Sequence, residues 1–296
     1  MTERGATQKC PNCGEDLGLK QRVIEDKNLH YDMITQLFQC QTDLSISNLH
    51  CVVCDHKMSQ VELESLGLKN FAVSARYASG TKFYEVYKDS PEIYHQFSLS
   101  EDAEQILFNK ILHYCRQQST VLDIGAGTGK LARMLAPYVR RVYALEPSET
   151  FTNYSVKLTE ASCLSNLIHV FAPAEKVPLP SHSVDLATMT WATFCPNEAL
   201  REIYRVLKKG GYAIRVGAVV KDDLTAFYPN LDEQVLMRTN TWFEQQGFET
   251  AEETIKVRFK NSATARRILQ AITGVHLKRV KRELIHKVVF QVYRHN

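Results

Sequence analysis

The chain has 296 residues, 44% of them hydrophobic and 23% charged, and a formal net charge of +3 from 36 Lys and Arg against 33 Asp and Glu. The chain shows no repeat or low-complexity segment, and the length suits one large domain and one small one. No apolar run approaches the roughly 18 residues of a membrane span, and the polar opening Met1 to Gln8 lacks a signal-peptide core, so a cytoplasmic location with reduced thiols is expected.

In chain order the first signal is cysteine spacing. Cys10 and Cys13 form one C-x-x-C pair, and Cys51 and Cys54 form a second after 37 intervening residues. Two such pairs supply four thiolates for a tetrahedral zinc ion. Pro11 and Gly14 tighten the first pair into a knuckle, and segments 21–26, 31–39 and 44–49 fit short strands. The spacing predicts a zinc ribbon over residues 1–70 that holds structural Zn2+ on Cys10, Cys13, Cys51 and Cys54. Cys40, His50 and His56 are spare ligands, of which Cys40 displaces one of the four if the register differs. Cys115 and Cys163 read as small core residues.

Residues 71–105 carry Tyr77, Phe83, Tyr84, Tyr87, Tyr94 and Phe97. This connecting segment is expected to be helical in part and to cover the cleft of the domain that follows, residues 106–296.

That domain opens on Val121-Leu-Asp-Ile-Gly-Ala-Gly-Thr-Gly129. An apolar run of strand length precedes glycines that let backbone approach a ligand. Leu131, Met134, Leu135 and Tyr138 then fit a helix stopped near Pro137. A second strand, Val142 to Leu145, ends at Glu146, which follows Gly125 by 21 residues. A carboxylate at that offset accepts hydrogen bonds from ribose hydroxyls in nucleotide-binding folds. The third glycine of a dinucleotide fingerprint is replaced by Lys130, and Asp123 beside the loop repels a pyrophosphate while suiting a ligand with an ammonium and a sulfonium. The segment resembles motif I of the class I S-adenosylmethionine-dependent methyltransferases. The resemblance implies Asp123, Gly125, Gly127 and Gly129 around the methionine and ribose of S-adenosyl-L-methionine, and Glu146 on its ribose hydroxyls.

Downstream segments follow the order of a doubly wound, mostly parallel, seven-stranded α/β Rossmann-like sheet. His169 to Phe171 reads as the third strand and Ser183 to Met189 as the fourth, with Ala174 and Glu175 between them in a segment similar to the family's adenine loop. Pro173 stands where the family commonly has an acid. Glu198 to Leu207 is helical, and Lys208-Lys-Gly-Gly211 is expected to cap it before a strand over Tyr212 to Val216. The acceptor of the methyl group is expected beyond the fourth strand, where Trp191, Phe194 and Cys195 lie. Trp191 and Phe194 suit stacking on a planar ring or packing in the core.

The overall charge hides an asymmetry. Residues 256–296 hold 11 Lys and Arg against one acid, Glu283, and the other 255 residues hold 25 basic against 32 acidic. The cluster His276-Leu-Lys-Arg-Val-Lys-Arg282 suits phosphate contacts. The whole arrangement resembles the bacterial ribosomal RNA guanine-N1 methyltransferases, on Cys10 and Cys13, motif I, and an ending of strand (Thr254 to Phe259), helix (Ala263 to Thr273) and strand (Lys287 to Tyr293). It departs from them in the long insert before Cys51 and after the fourth strand. The expectation is a methyltransferase acting on a ribosomal or transfer RNA base, with RNA held by the 256–296 segment and the ribbon. Two alternatives stand: methylation of a small aromatic or isoprenoid-type metabolite, and a non-catalytic RNA-binding or assembly factor of the same fold.

Overall fold

The computed structural model describes residues 11–14, 19–21, 26–32, 37–45, 49–51, 56–65, 72–79 and 90–296, apart from 163, 193–195, 220–221, 229–230 and 232; for the strands before residue 80 it describes the backbone only. At the amino end β1 (Leu19–Gln21) pairs antiparallel with β4 (Leu49–Cys51), and β2 (Asp26–Asp32), β3 (Leu37–Ser45) and β5 (Ala72–Ser79) form a three-stranded antiparallel sheet. β5 therefore draws residues 72–79 into the amino-terminal sheet, across the expected boundary near residue 70. The helix α1 (Gln60–Ser65) begins with a capping box: Glu62 Oε2 accepts from the Ser59 amide at 2.6 Å, and Ser59 Oγ accepts from the Glu62 amide at 3.3 Å. His56, a spare ligand by sequence, contacts Glu62 at 3.2 Å.

Helix α2 (Pro91–Ser100) starts on a proline and is followed by α3 (Ile106–His113). The central sheet then takes shape from β6 (Thr120–Ile124), β7 (Arg141–Leu145), β8 (Leu167–Val170), β9 (Val184–Thr190) and β10 (Leu207–Ala218), all parallel. Between them run α4 (Lys130–Leu135), α5 (Glu149–Glu160) and α6 (Pro196–Val206). The chain closes with α7 (Glu233–Gln245), β11 (Glu249–Arg258), α8 (Ser262–Thr273) and β12 (Glu283–Arg294). β12 lies antiparallel between β10 and β11, giving the order β11-β12-β10-β9-β6-β7-β8.

The parallel strands are almost continuously apolar because helices cover both faces. Successive side chains point to opposite faces. Val121 joins Leu107, Ile111 and Leu135 of α3 and α4 on one side, while Leu122 and Ile124 join Ile203 of α6 and Phe243 of α7 on the other. Each such fully buried side chain contributes roughly 1.5–3 kcal/mol. Lys208 to Gly211 departs from expectation, because strand β10 begins at Leu207 rather than after a cap. Leu207 pairs with Val184, and the backbone of His295 bonds both Gly210 (2.7 Å) and Gly211 (2.8 Å), so the glycines are absorbed into the sheet.

A smaller core stands beside the sheet. Asn261 caps α8 through its Oδ1, which accepts from the Thr264 amide at 2.8 Å, and Gly274 ends it at φ +68°. The apolar face of α8, with Ile268, Leu269 and Ile272, meets Phe97 of α2, Leu224, Val280 and Leu284. That contact holds α2 over the carboxyl edge of the sheet.

Candidate active site

The strand order reverses between β6 and β9, and open α/β sheets bind ligands at the carboxyl ends of the strands flanking such a switch point. The glycine loop leaves β6 there. Gly125, Gly127 and Gly129 have φ of +65°, +56° and +72°, a region costly to residues with a Cβ. Space is equally restrictive at Gly129, where a Cβ would overlap Ser155 Oγ. Glu146, at the end of β7, is buried and braces the loop: its Oε2 accepts from the Gly127 amide at 2.8 Å and its Oε1 from the Ser148 amide at 2.9 Å.

Beside the loop lies a cavity of about 80 Å³ whose lining includes Asp123, Gly125, Lys130, Trp191, Glu101 and Asp102. Asp123 is 1% exposed and accepts from Thr188 Oγ1 at 2.8 Å. Burial pushes its carboxyl up to about 7, with the threonine hydroxyl opposing. Burial likewise raises Glu101 to about 7, partly offset by nearby Lys130. Asp102 Oδ1 is buried with no hydrogen-bond partner among the described residues. Three carboxyl groups thus line one cavity with a single lysine, and one of their oxygens is orphaned. That acid-rich lining fits the ammonium and sulfonium of S-adenosylmethionine.

The helix α2 and the segment after it are pinned onto the loop. Lys130 Nζ donates to the carbonyls of Ser98 (2.6 Å) and Glu101 (2.7 Å), and His95 Nδ1 meets Thr128 Oγ1 at 2.9 Å. Burial, then Arg133 and Lys130, lowers His95 to about 4, which keeps it neutral at pH 7. Covering of the cleft, expected of the aromatic 71–105 segment, is carried within the described residues by α2, where Tyr94 lines the cavity.

The other residues expected at the site are placed as follows. Ala174 is buried in the main core and Glu175 half-buried, both after β8 and outside the lining of this cavity. Trp191 lines the cavity, whereas Phe194 and Cys195 lie outside the described residues. Of the four cysteines expected on zinc, Cys10 and Cys54 lie outside the described residues and Cys51 is described in backbone only. Cys13 is half-buried against the main core, followed by Gly14 at φ +72°. No group of three or more His, Cys, Asp or Glu placed to hold a metal occurs among the described residues. No described helix is long and apolar enough to cross a membrane.

Sequence reasoning missed the Asp222 and His286 pair. His286 Nδ1 donates to Asp222 Oδ2 at 2.7 Å, with the side chains 4% and 1% exposed. Asp222 Oδ2 also accepts from the Lys287 amide at 2.7 Å, and Oδ1 accepts from the amides of Leu224 (2.9 Å) and Thr225 (2.7 Å) and from the Thr225 hydroxyl (2.9 Å). Burial opposes ionisation, yet these bonds, led by that from His286, bring the carboxyl down to about 2. The only sequence cue was Asp222-Asp-Leu-Thr225, whose first acid with a threonine three residues on is typical of a turn. His286 lies 64 residues away in a strand, so nothing local links the two.

The basic cluster stands on the smaller core beside α2. Leu277 and Val280 pack into the smaller core with Phe97 and Tyr228, while Lys278, Arg279, Lys281 and Arg282 remain exposed around them.

Residues 122–215 match the protein-family profile described as "Methyltransferase domain". The "Uncharacterized methyltransferase YcgJ" of Bacillus subtilis (strain 168) is 27% identical over 152 residues, covering 50% of this chain and 58% of that protein. The "Ubiquinone/menaquinone biosynthesis C-methyltransferase UbiE" of Enterobacter sp. (strain 638) is 34% identical over 103 residues, 32% of this chain and 41% of that one. The crystal structure of YcgJ aligns with 68% of this chain and 98% of its own, at 18% identity and a TM-score of 0.46. The chain spans about half the length of the curated relatives it matches, 58% and 41% for these two. The sheet order and the glycine loop accord with that match: residues 122–215 form the centre of a mostly parallel, Rossmann-like methyltransferase sheet.

Proposed function

We propose that this methyltransferase transfers the methyl group of S-adenosyl-L-methionine to a base of structured RNA, ribosomal or transfer. The bound cofactor supplies an electrophilic methyl group. The chain's task is then to hold donor and acceptor in line in a dry site, since alignment alone lowers such barriers by several kcal/mol, on the order of 7–11 in the best cases. Asp123 and Asp102 offer carboxylate oxygens to the cofactor's positive end, and the glycine loop offers backbone to its ribose and methionine. Glu146 keeps lone pairs for ribose hydroxyls while its oxygens hold the loop. Ala174 and Glu175 stand nearest the adenine by the family's pattern. α2 excludes water, held down by Lys130 and His95.

The observation that carries the RNA reading is the row of exposed cations, Lys278, Arg279, Lys281 and Arg282, around the smaller core that α2 shares. A phosphate backbone laid along that rim brings a base to the cleft. Neutralising all four together should weaken binding of a structured RNA and flatten the log–log slope of its salt dependence by roughly three, at about 0.7–0.9 per phosphate contact. Unchanged binding and slope would favour the second reading, a small aromatic acceptor, which the similarity to a quinone-biosynthesis C-methyltransferase supports.

The same proposal includes one structural zinc on Cys10, Cys13, Cys51 and Cys54. It is supported by the two C-x-x-C pairs and by two features of the backbone. Cys13 ends a turn closed by Gly14, and β1, which begins six residues beyond Cys13, pairs Leu19 with Cys51. Four thiolates suit zinc in a closed tetrahedral site.

A further inference from the structure

Trp191 adopts φ +60°, a left-handed conformation that a bulky side chain rarely takes, immediately after β9. Backbone strain of this kind costs on the order of 1–3 kcal/mol and persists where its surroundings enforce it. Here the Trp191 amide donates to the Val216 carbonyl at 3.2 Å, and the indole stacks on the His286 ring with centroids 5.2 Å apart and planes 26° from parallel. The imidazole is in turn fixed by Asp222, whose carboxylate accepts five hydrogen bonds. Because an ionised carboxylate only accepts, Nδ1 carries the proton and the ring cannot flip without breaking a buried 2.7 Å bond. The chain of constraint runs from the Asp222 turn through His286 to Trp191, and Trp191 lines the same cavity as Asp123 and Gly125.

We infer that Trp191 is the platform on which the methyl acceptor stacks, that Asp222 and His286 are positioning residues that hold it, and that the acceptor is therefore a planar aromatic ring. A merely structural histidine beneath a core tryptophan needs neither a left-handed backbone nor a position on the cavity wall. The inference rests on the methyltransferase reading and narrows it: aliphatic acceptors such as acyl chains gain nothing from a rigid indole face, whereas nucleobases and quinone-type rings stack on it alike. Stacking of one base on an aromatic side chain is worth roughly tenfold or more in affinity.

The chain has two tryptophans, Trp191 and Trp242. Trp242 lies in α7, edge-on to Phe243. A Trp242→Phe protein thus leaves Trp191 as the sole indole reporter. With S-adenosylhomocysteine bound, its emission should be quenched by guanosine monophosphate or by a short structured RNA if the ring comes from nucleic acid, and by a water-soluble naphthoquinone if it comes from a metabolite. In the same background, Asp222→Asn and His286→Asn should weaken that quenching roughly tenfold while leaving S-adenosylhomocysteine affinity unchanged. His286→Phe keeps the stacked ring and loses the hydrogen bond. It should show an intermediate loss, which a purely structural role, read as a shift in melting temperature alone, would not produce. Absence of quenching by any of these rings in protein that binds S-adenosylhomocysteine overturns the platform. Failure of every folded variant, and of the parent, to bind S-adenosylhomocysteine overturns the methyltransferase reading beneath it.

Discussion

A Cβ built on Gly125 would stand 2.7 Å from the Cβ of Ala192. The glycine loop after β6 and the segment after β9 therefore close on each other with no room for a methyl group, at the point where the strand order reverses. Gly125→Ala must both adopt φ +65° and push Ala192 away. The backbone conformation alone costs roughly 1–2 kcal/mol. The variant should melt at lower temperature and bind S-adenosylhomocysteine at least roughly tenfold more weakly by calorimetry, and wild-type affinity in a Gly125→Ala protein would contradict the loop's role.

Asp123 makes the ligand-free protein pH-sensitive. Its folded-state carboxyl is raised to about 7 from an ordinary value of 3.8, chiefly by burial. The folded chain therefore keeps this proton to higher pH than the unfolded chain. The stability it contributes is complete below about pH 4 and is lost as pH rises toward 7. Each tenfold change in proton affinity is worth about 1.4 kcal/mol, so the loss amounts to a few kcal/mol. Asp123→Asn should remove that slope, raising the melting temperature of ligand-free protein at pH 8 while weakening S-adenosylhomocysteine binding. A variant less stable than the parent at pH 8 would contradict the burial account.

Lys130 fastens the segment that follows α2. Lys130→Met removes the donor to the Ser98 and Glu101 carbonyls, and each buried acceptor left unsatisfied costs roughly 1–3 kcal/mol. Limited proteolysis with a non-specific protease should cut the variant faster between residues 98 and 105 than the parent, with the sheet remaining intact. Equal cleavage rates would show that the apolar contacts of Phe97 alone hold the segment.

Purified protein should contain about one zinc per chain by elemental analysis, and both a strong chelator and Cys13→Ser should release it with a loss of thermal stability. The destabilisation should reach the large domain, because Cys13 packs against the main core. Metal-free protein with unchanged melting would remove the ribbon from the account.

By itself the sequence determined the sheet and the glycine loop. Val121 to Gly129, Val142 to Glu146 and the later apolar runs are local patterns, and each element they predict depends on residues within a few positions of one another, so period and glycine placement suffice. What was illegible is what long-range contacts decide. The Lys208 to Gly211 stretch looked like a helix cap until His295, at the far end of the chain, paired with its glycines. β5 looked like part of a lid until β3 claimed it. The acid-rich cavity joins Glu101 and Asp102 to Asp123, and the Trp191 platform joins three elements through Asp222 and His286. Such side chains have no sequence signature, because a buried carboxylate or a stacked imidazole is defined by what the fold carries to it from elsewhere. Only the tertiary structure, by bringing the ends of β9, β10 and β12 together beneath α2, turns those scattered residues into one site.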